Sequence, residues 1–398
     1  MSAHDDAASR HVPVLLERCL DLLAPPITQA AQAGRTPVMI DCTLGMGGHT
    51  HGALSRFPDL HVIGIDRDPQ AIALATVRLA PFGERFTAVQ ATYDQVDQVA
   101  RDYAAPSCGG VDAILMDLGV SSLQLDEAER GFSYARSAPL DMRMDQSSGR
   151  TAQDILDQED APTIARILRL YGEERFASKI AARIVSLRQA GTPVRDTSDL
   201  VEVVRSSIPA AARRTGGNPA KRTFQALRVA VNAELDVLEA ALPAALNALR
   251  VGGHLVIESY QSLEDRLVKQ AFVAGTRSRA PEGLPFIPEA DQPYLEALTH
   301  GAERATQADI EDNPRSAPVR LRAVRRVRSA QDAPAPSLGS SSDHDGAPTA
   351  SRFTRGSDSG GHRPQPQGGS RARRGGSGRG YGQHSTSSGT KRQGRTRS

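Results

Sequence analysis

Four short apolar runs limit what this 398-residue chain can fold into more than any other feature. "VMIDC" closes around Asp41, "HVIGID" ends at Asp66, "RFTAVQ" follows, and "VDAILMDLGV" passes through Asp117. Continuous apolar runs of this length suit strands covered on both faces, since a strand with one wet face would alternate. The intervening periodicity is helical. Asp68 is placed to cap a helix with Pro69 in its first turn, and Ile72, Ala75 and Leu79 fall on one face. Repeated strand and helix units of this spacing specify an α/β fold with a doubly wound, mostly parallel sheet.

The alternation lapses over residues 137–228, where "PTIARILRLYGEERFASKIAARIVSLRQ" and "TSDLVEVVRSSI" are helical in character. It then resumes. Leu235, Leu238, Leu242, Leu246 and Leu249 recur at helical spacing, with a kink expected at Pro243, and "HLVIES" reads as a further inner strand. "VRLRAVRRVR" is expected to add a last edge strand. The expected organisation is one α/β domain in two parts, residues 1–136 and 229–330, interrupted by a helical insertion at 137–228.

The formal charge is +2 but unevenly placed. Residues 331–398 hold eleven Arg or Lys and four Asp, a balance of +7, which leaves −5 for residues 1–330. That last segment has Leu338, Phe353 and Tyr381 as its large apolar residues, too few to offset the entropy of ordering, so a disordered Gly/Ser/Arg-rich tail is expected from 331. Nonspecific phosphate contacts to RNA and simple solubilisation are both open to it. No run approaches the roughly 20 apolar residues of a membrane span, and the expectation is a cytoplasmic protein. Cys19, Cys42 and Cys108 are widely spaced, with no CxxC pair to suggest a disulfide framework or a cysteine metal site.

After the first run comes a glycine-rich turn, "MIDCTLGMGGHTHG". In a doubly wound sheet, ligands bind outside the carboxyl ends of the strands, so Asp41, Asp66 and Asp117 are expected to share a rim with this turn. The dinucleotide fingerprint GxGxxG fails at its last glycine, where Thr50 stands, and no Gly-Lys-Ser/Thr follows to make a P-loop. Neither a cysteine nor a second histidine pair adjoins His49 and His51, so no metal is expected. A short glycine turn after strand one, with Asp66 closing strand two to accept from ribose hydroxyls, suits S-adenosylmethionine.

"HVPVLLERCL", "DCTLGMGGHTHGAL", "GIDRDPQAI", "DLGVSSLQLDEAERGFSYARSAPLDMRMD", "YGEERFASKIAARIV", "NPAKRTFQALRVAVNAEL" and "SYQSLEDRLVK" together resemble the MraW/RsmH family. The resemblance runs from about His11 to Lys269 and resumes near Arg320. It implies a class I S-adenosylmethionine-dependent methyltransferase acting on the exocyclic N4 of a cytidine in the decoding region of 16S ribosomal RNA, with the small ribosomal subunit as partner. Carried onto matching positions, it implies cofactor contacts from Gly47, Gly48, His49, Asp66, Tyr93, Asp117 and Gln124, and assigns no catalytic residue.

Two positions depart from the family pattern. Asn218 and Gln261 stand where relatives usually show His, so a role resting on an imidazole there does not carry over. Strand four ends in Asp117-Leu118-Gly119-Val120 rather than the Asp-Pro-Pro-aromatic signature of amino-group methyltransferases, and no base-clamping loop is assigned by that analogy. Phe132 and Tyr134 are candidates to stack on a splayed base, and Arg213, Arg214, Lys221, Arg222 and Arg228 to meet RNA phosphates. A noncatalytic RNA-binding or ribosome-assembly protein and a nicotinamide-dependent oxidoreductase are the alternative readings.

Overall fold

The alternation read from the apolar runs becomes a seven-stranded sheet in the computed structural model, which describes residues 13–104, 109–210, 218–281 and 286–338. Its strands are β1 (Val38–Asp41), β2 (His61–Asp66), β3 (Phe86–Gln90), β4 (Val111–Asp117), β5 (Leu249–Ser259), β6 (Leu295–Ala297) and β7 (Arg320–Arg326), in the order β3-β2-β1-β4-β5-β7-β6. The first five are parallel, whereas β7 runs antiparallel to both β5 and β6. The "VRLRAVRRVR" segment is therefore interior to the sheet. The edge falls to the three-residue β6, and the Arg-rich pattern that suggests an exposed edge has other causes, given below.

Side chains on the inner strands alternate between two cores, as the pleat requires. Ile40, Ile63, Ile65, Ile114, Met116, Leu255 and Ile257 join one cluster, packed with the helices Val96–Tyr103, Glu234–Ala248 and Ser262–Thr276. Met39, Val62, Ala113, Leu115 and Val256 join the other, packed with Leu16–Gln32, Gly48–Arg56 and Pro69–Leu79. Both faces being covered is why these runs lack polar alternation. The helix expected to kink at Pro243 runs as one element from Glu234 to Ala248.

A third core, drawn from Leu140 to Val231, belongs to the helices Ala152–Gln158, Ala161–Gly172, Ala177–Gln189, Thr197–Ser207 and Lys221–Asn232. Two buried polar groups tie the 117–145 segment and these helices to the sheet. Arg130 pairs with Asp68 at 2.7 Å, both almost fully buried, and also donates to the Met144 carbonyl. Asn232 donates to the Met142 carbonyl and accepts from the Met144 N–H, each at 2.8 Å. Between those two bonds Met142 sits at φ 61°, a left-handed conformation an unbranched residue holds only when its surroundings over-determine it.

Residues 331–338, assigned to the tail from composition, are folded. Ala333 and Ala335 are buried, and the reason is Arg326. Its guanidinium is fully buried over the Tyr294 ring, 4.8 Å from the centroid, and donates to the carbonyls of Leu246, Arg328, Ser329 and Ala333. Burial holds its pKa down at about 10. Composition sees an arginine-rich stretch; the fold uses one of those arginines as an internal clamp. The remainder of the expected tail, residues 339–398, lies outside the described residues.

Candidate active site

The carboxyl ends of β1, β2, β4 and β5 open into a cavity of about 780 Å³. That volume lies in the upper part of the ~300–1,000 Å³ range of small-molecule sites. Its wall takes Gly45, Gly48 and His49 from the glycine turn, Asp66 from β2, Tyr93 beyond β3, Asp117 from β4, and Gln124 from the short helix Ser122–Asp126. Six of the seven residues singled out by resemblance thus converge. Gly47 does not line the cavity. It caps the helix Gly48–Arg56 at φ 74°, and a Cβ there would lie 2.9 Å from Leu79 Cδ1, so it serves the turn and the packing beneath it.

Asp66 organises the turn. Its Oδ2 accepts from Gly45 N–H at 2.8 Å and its Oδ1 from Asp68 N–H at 2.9 Å, which holds the loop open while the carboxylate keeps acceptor capacity toward the cavity. Burial raises its pKa to about 6 against those two donors. Asp41 goes elsewhere. It is buried below the rim, accepting from Thr43 N–H and, at 2.7 Å, from the hydroxyl of the equally buried Thr50, and burial raises its pKa. The deviation from the dinucleotide fingerprint therefore has a structural cause. A glycine at 50 would leave this carboxylate short of a partner.

Thr50→Gly is accordingly expected to cost roughly 1–3 kcal/mol of stability, by leaving part of a buried carboxylate unsatisfied, without creating dinucleotide affinity. Urea unfolding and a nicotinamide dinucleotide titration check the two halves of that expectation.

Asp117 Oδ1 accepts from the Tyr260 hydroxyl at 2.6 Å, and its Oδ2 lies 3.8 Å from His49 Nδ1. Its backbone N–H donates to the Thr43 hydroxyl, locking β4 to the turn after β1. Burial, together with the neighbouring Asp117 and Glu258 charges, pushes the Tyr260 phenol well above its ordinary pKa, so it remains a hydrogen-bond donor. Gln124 completes a capping box with Ser121 and donates to Asp68 at 3.2 Å. Tyr93 reaches across to the Glu234 carbonyl at 3.4 Å, leaving its ring along the wall.

Tyr260 after β5, Met144, and Gln225 from the helix Lys221–Asn232 line the wall without a signal in the sequence; Gln261, Lys221 and Arg228, noted there for other reasons, line it too. Gln261 accepts from Gln225 at 2.6 Å and donates to Glu264 at 2.7 Å, joining the helix Lys221–Asn232 to the end of β5. Asn218 caps locally by accepting from Ala220 N–H. Of the expected phosphate-binding cluster, Arg228 is instead paired bidentately with Glu234, both bonds 2.8 Å, and Arg222 donates to the Glu173 carbonyl. Lys221 is exposed at the cavity mouth; Arg213 and Arg214 lie outside the described residues.

Neither stacking candidate lines the cavity. Phe132 is buried with the Arg130 guanidinium over its ring, and Tyr134 packs edge-on against Phe224.

The parallel sheet is extended by an antiparallel strand pair and carries its cavity at the strand ends. The model of the MraW methylase family matches residues 8–327. The chain belongs to the MraW methylase family. A Beutenbergia cavernae protein named Ribosomal RNA small subunit methyltransferase H is 58% identical over 337 residues, spanning 84% of this chain and 98% of its own length. Proteins of the same name from Mycolicibacterium smegmatis and Streptomyces avermitilis are 56% and 53% identical. They cover 82% and 80% of this chain, and 86% and 98% of their own lengths. The matched segments thus span 86–98% of these family members' own lengths. Among the described residues no helix is long and apolar enough to cross a membrane.

Proposed function

We propose that this chain methylates the exocyclic N4 of a cytidine in the decoding region of 16S ribosomal RNA, using S-adenosylmethionine. The observation that carries the reading is the convergence of Asp66, Tyr93 and Asp117 on one cavity at the strand ends. Asp66, fixed by two backbone donors, fits a ribose diol. Tyr93 offers a ring face to an adenine, and the turn at Gly45 and Gly48 admits a ligand close to the backbone. Bound there, the cofactor supplies an electrophilic methyl group on a sulfonium.

The chain's own residues have three tasks. Cytosine's amine is a weak nucleophile because its lone pair is shared with the ring, so alignment matters most, and positioning of this kind lowers barriers by about 7–11 kcal/mol. Asp117, bonded by the Tyr260 hydroxyl at one oxygen and 3.8 Å from His49 Nδ1 at the other, is the carboxylate at the cavity wall placed to accept an amine proton. The insertion helix carrying Lys221, Gln225 and Arg228 forms the cavity's outer wall, where it would meet the RNA and exclude water. A splayed cytidine costs a few kcal/mol to present, least in single-stranded RNA.

Nucleoside mass spectrometry of small-subunit RNA tests the reading. RNA from cells lacking the gene should lack N4-methylated cytidine, and the wild-type gene should restore it. Persistence of the modified nucleoside without the gene would overturn the proposal.

A further inference from the structure

We propose that Cys19, His49 and Glu258 form a binding site for a zinc-class divalent transition-metal ion directly beneath the cofactor cavity. The three come from the first described helix, the glycine turn and the end of β5, and no spacing in the sequence connects them. One ligand atom from each lies within 4.8 Å of the others. His49 Nε2 and Glu258 Oε2 are 3.4 Å apart. Two donors bound about 2.0–2.1 Å from a tetrahedral metal lie close to that separation.

The cluster is dry. Cys19 and Glu258 have no solvent exposure and His49 is 6% exposed. Neither Glu258 carboxylate oxygen has a hydrogen-bond partner of normal geometry, although the Cys19 thiol is near enough to ease the carboxyl's ionisation slightly. A carboxyl at zero exposure without a donor is among the costliest arrangements in a protein interior, and each such group calls for an explanation.

Charge balance supplies one. The Cys19 thiol and the Glu258 carboxyl each carry one ionisable proton at this cluster. A divalent ion displaces those two protons to solvent and leaves thiolate, carboxylate and metal neutral as a set. His49 contributes a neutral imidazole nitrogen. The Val14 carbonyl oxygen, 2.9 Å from the same nitrogen, exchanges its hydrogen bond for the fourth coordination position. On the opposite side of the ring, Asp117 Oδ2 lies 3.8 Å from Nδ1. A sulfur, nitrogen and oxygen donor set selects zinc over magnesium or calcium. The ion would fix the His49 ring against the cavity floor, and its presence does not depend on which substrate is methylated.

The test uses the untagged full-length chain. Zinc titration against a chromogenic indicator, with elemental analysis of the dialysed protein, is expected to show one tightly held equivalent. Glu258→Gln and Cys19→Ser are each expected to weaken it by about a hundredfold or more, since loss of an outer-shell partner alone costs about 10–100-fold. Cobalt loaded in place of zinc should give a thiolate charge-transfer band that Cys19→Ser removes. Wild-type protein that binds neither ion, or zinc affinity unchanged in both variants, would overturn the proposal. Should a variant fail to fold, the cobalt band of the wild type decides alone, and its absence rejects Cys19 as a ligand.

Discussion

Asp66→Ala is expected to weaken S-adenosylmethionine binding by about two to four orders of magnitude. Hydrogen bonds to a charged acceptor are each worth roughly 1.5–3 kcal/mol, and a ribose diol would make two to this carboxylate. The same substitution removes the acceptor that holds Gly45 N–H and Asp68 N–H, so the turn loosens as well. Calorimetric titration measures it, and an affinity within threefold of wild type would remove Asp66 from the cofactor site.

The raised pKa of about 6 adds a pH signature. The ionised carboxylate accepts from the ribose hydroxyls more strongly than the protonated carboxyl, which turns one acceptor into a donor, so affinity should fall as pH drops through about 6, by up to tenfold per unit, and Asp66→Ala should flatten that dependence. The stability effect has the opposite sign. A carboxyl whose folded pKa exceeds its unfolded value of 3.8 gives its full stability below 3.8, and that stability is lost as pH rises through about 6. At neutral pH the cofactor-free fold therefore carries a penalty on the order of 3 kcal/mol at this one position, which ligand donors to the carboxylate would relieve.

Asp117→Asn is expected to lower the methyl-transfer rate by about 10²–10⁴, the usual contribution of a positioned proton acceptor, while cofactor affinity changes less than tenfold. Tyr260→Phe removes the hydroxyl bonded to Asp117 Oδ1 and should act in the same direction with a smaller loss, because the carboxylate remains but is less firmly held. Single-turnover rates measured beside cofactor binding separate the two roles open to Asp117. A loss seen chiefly in affinity would assign it to cofactor contact alone.

The sheet, its parallel direction and the position of the cavity were legible because they depend on local periodicity. Apolar runs with no polar alternation report strands buried on both faces, and the two alternating cores show why. Asp68 was recognisable as a helix cap from its place before Pro69, and it does accept from Gln70 N–H at 3.0 Å. Its second role, as the buried partner of Arg130, was not, because Arg130 lies 62 residues away.

All three strand-end acids were expected at the rim, with Asp66 alone assigned to the ribose from its place and Asp117 added by resemblance. Pairing and burial separated them: Asp66 and Asp117 reach the cavity, and Asp41 turns under it to Thr50. The metal question followed the same logic. Around His49 the sequence holds no partner ligand, yet β4 and β5 pair with Asp117 opposite Glu258, and the first described helix brings Cys19 to the same place.

By itself, then, the chain's periodicity and motifs determined the class of fold, the order of its inner strands in sequence, the turn that borders the cavity and the family to which it is similar. Tertiary structure alone decided that Asp41 turns away from the cavity, that Phe132 is core, which arginines are already paired, and that residues 331–338 fold under Arg326. Strand and helix propensities act over a few residues, whereas burial and charge pairing are set by whatever the completed fold places within a few ångströms.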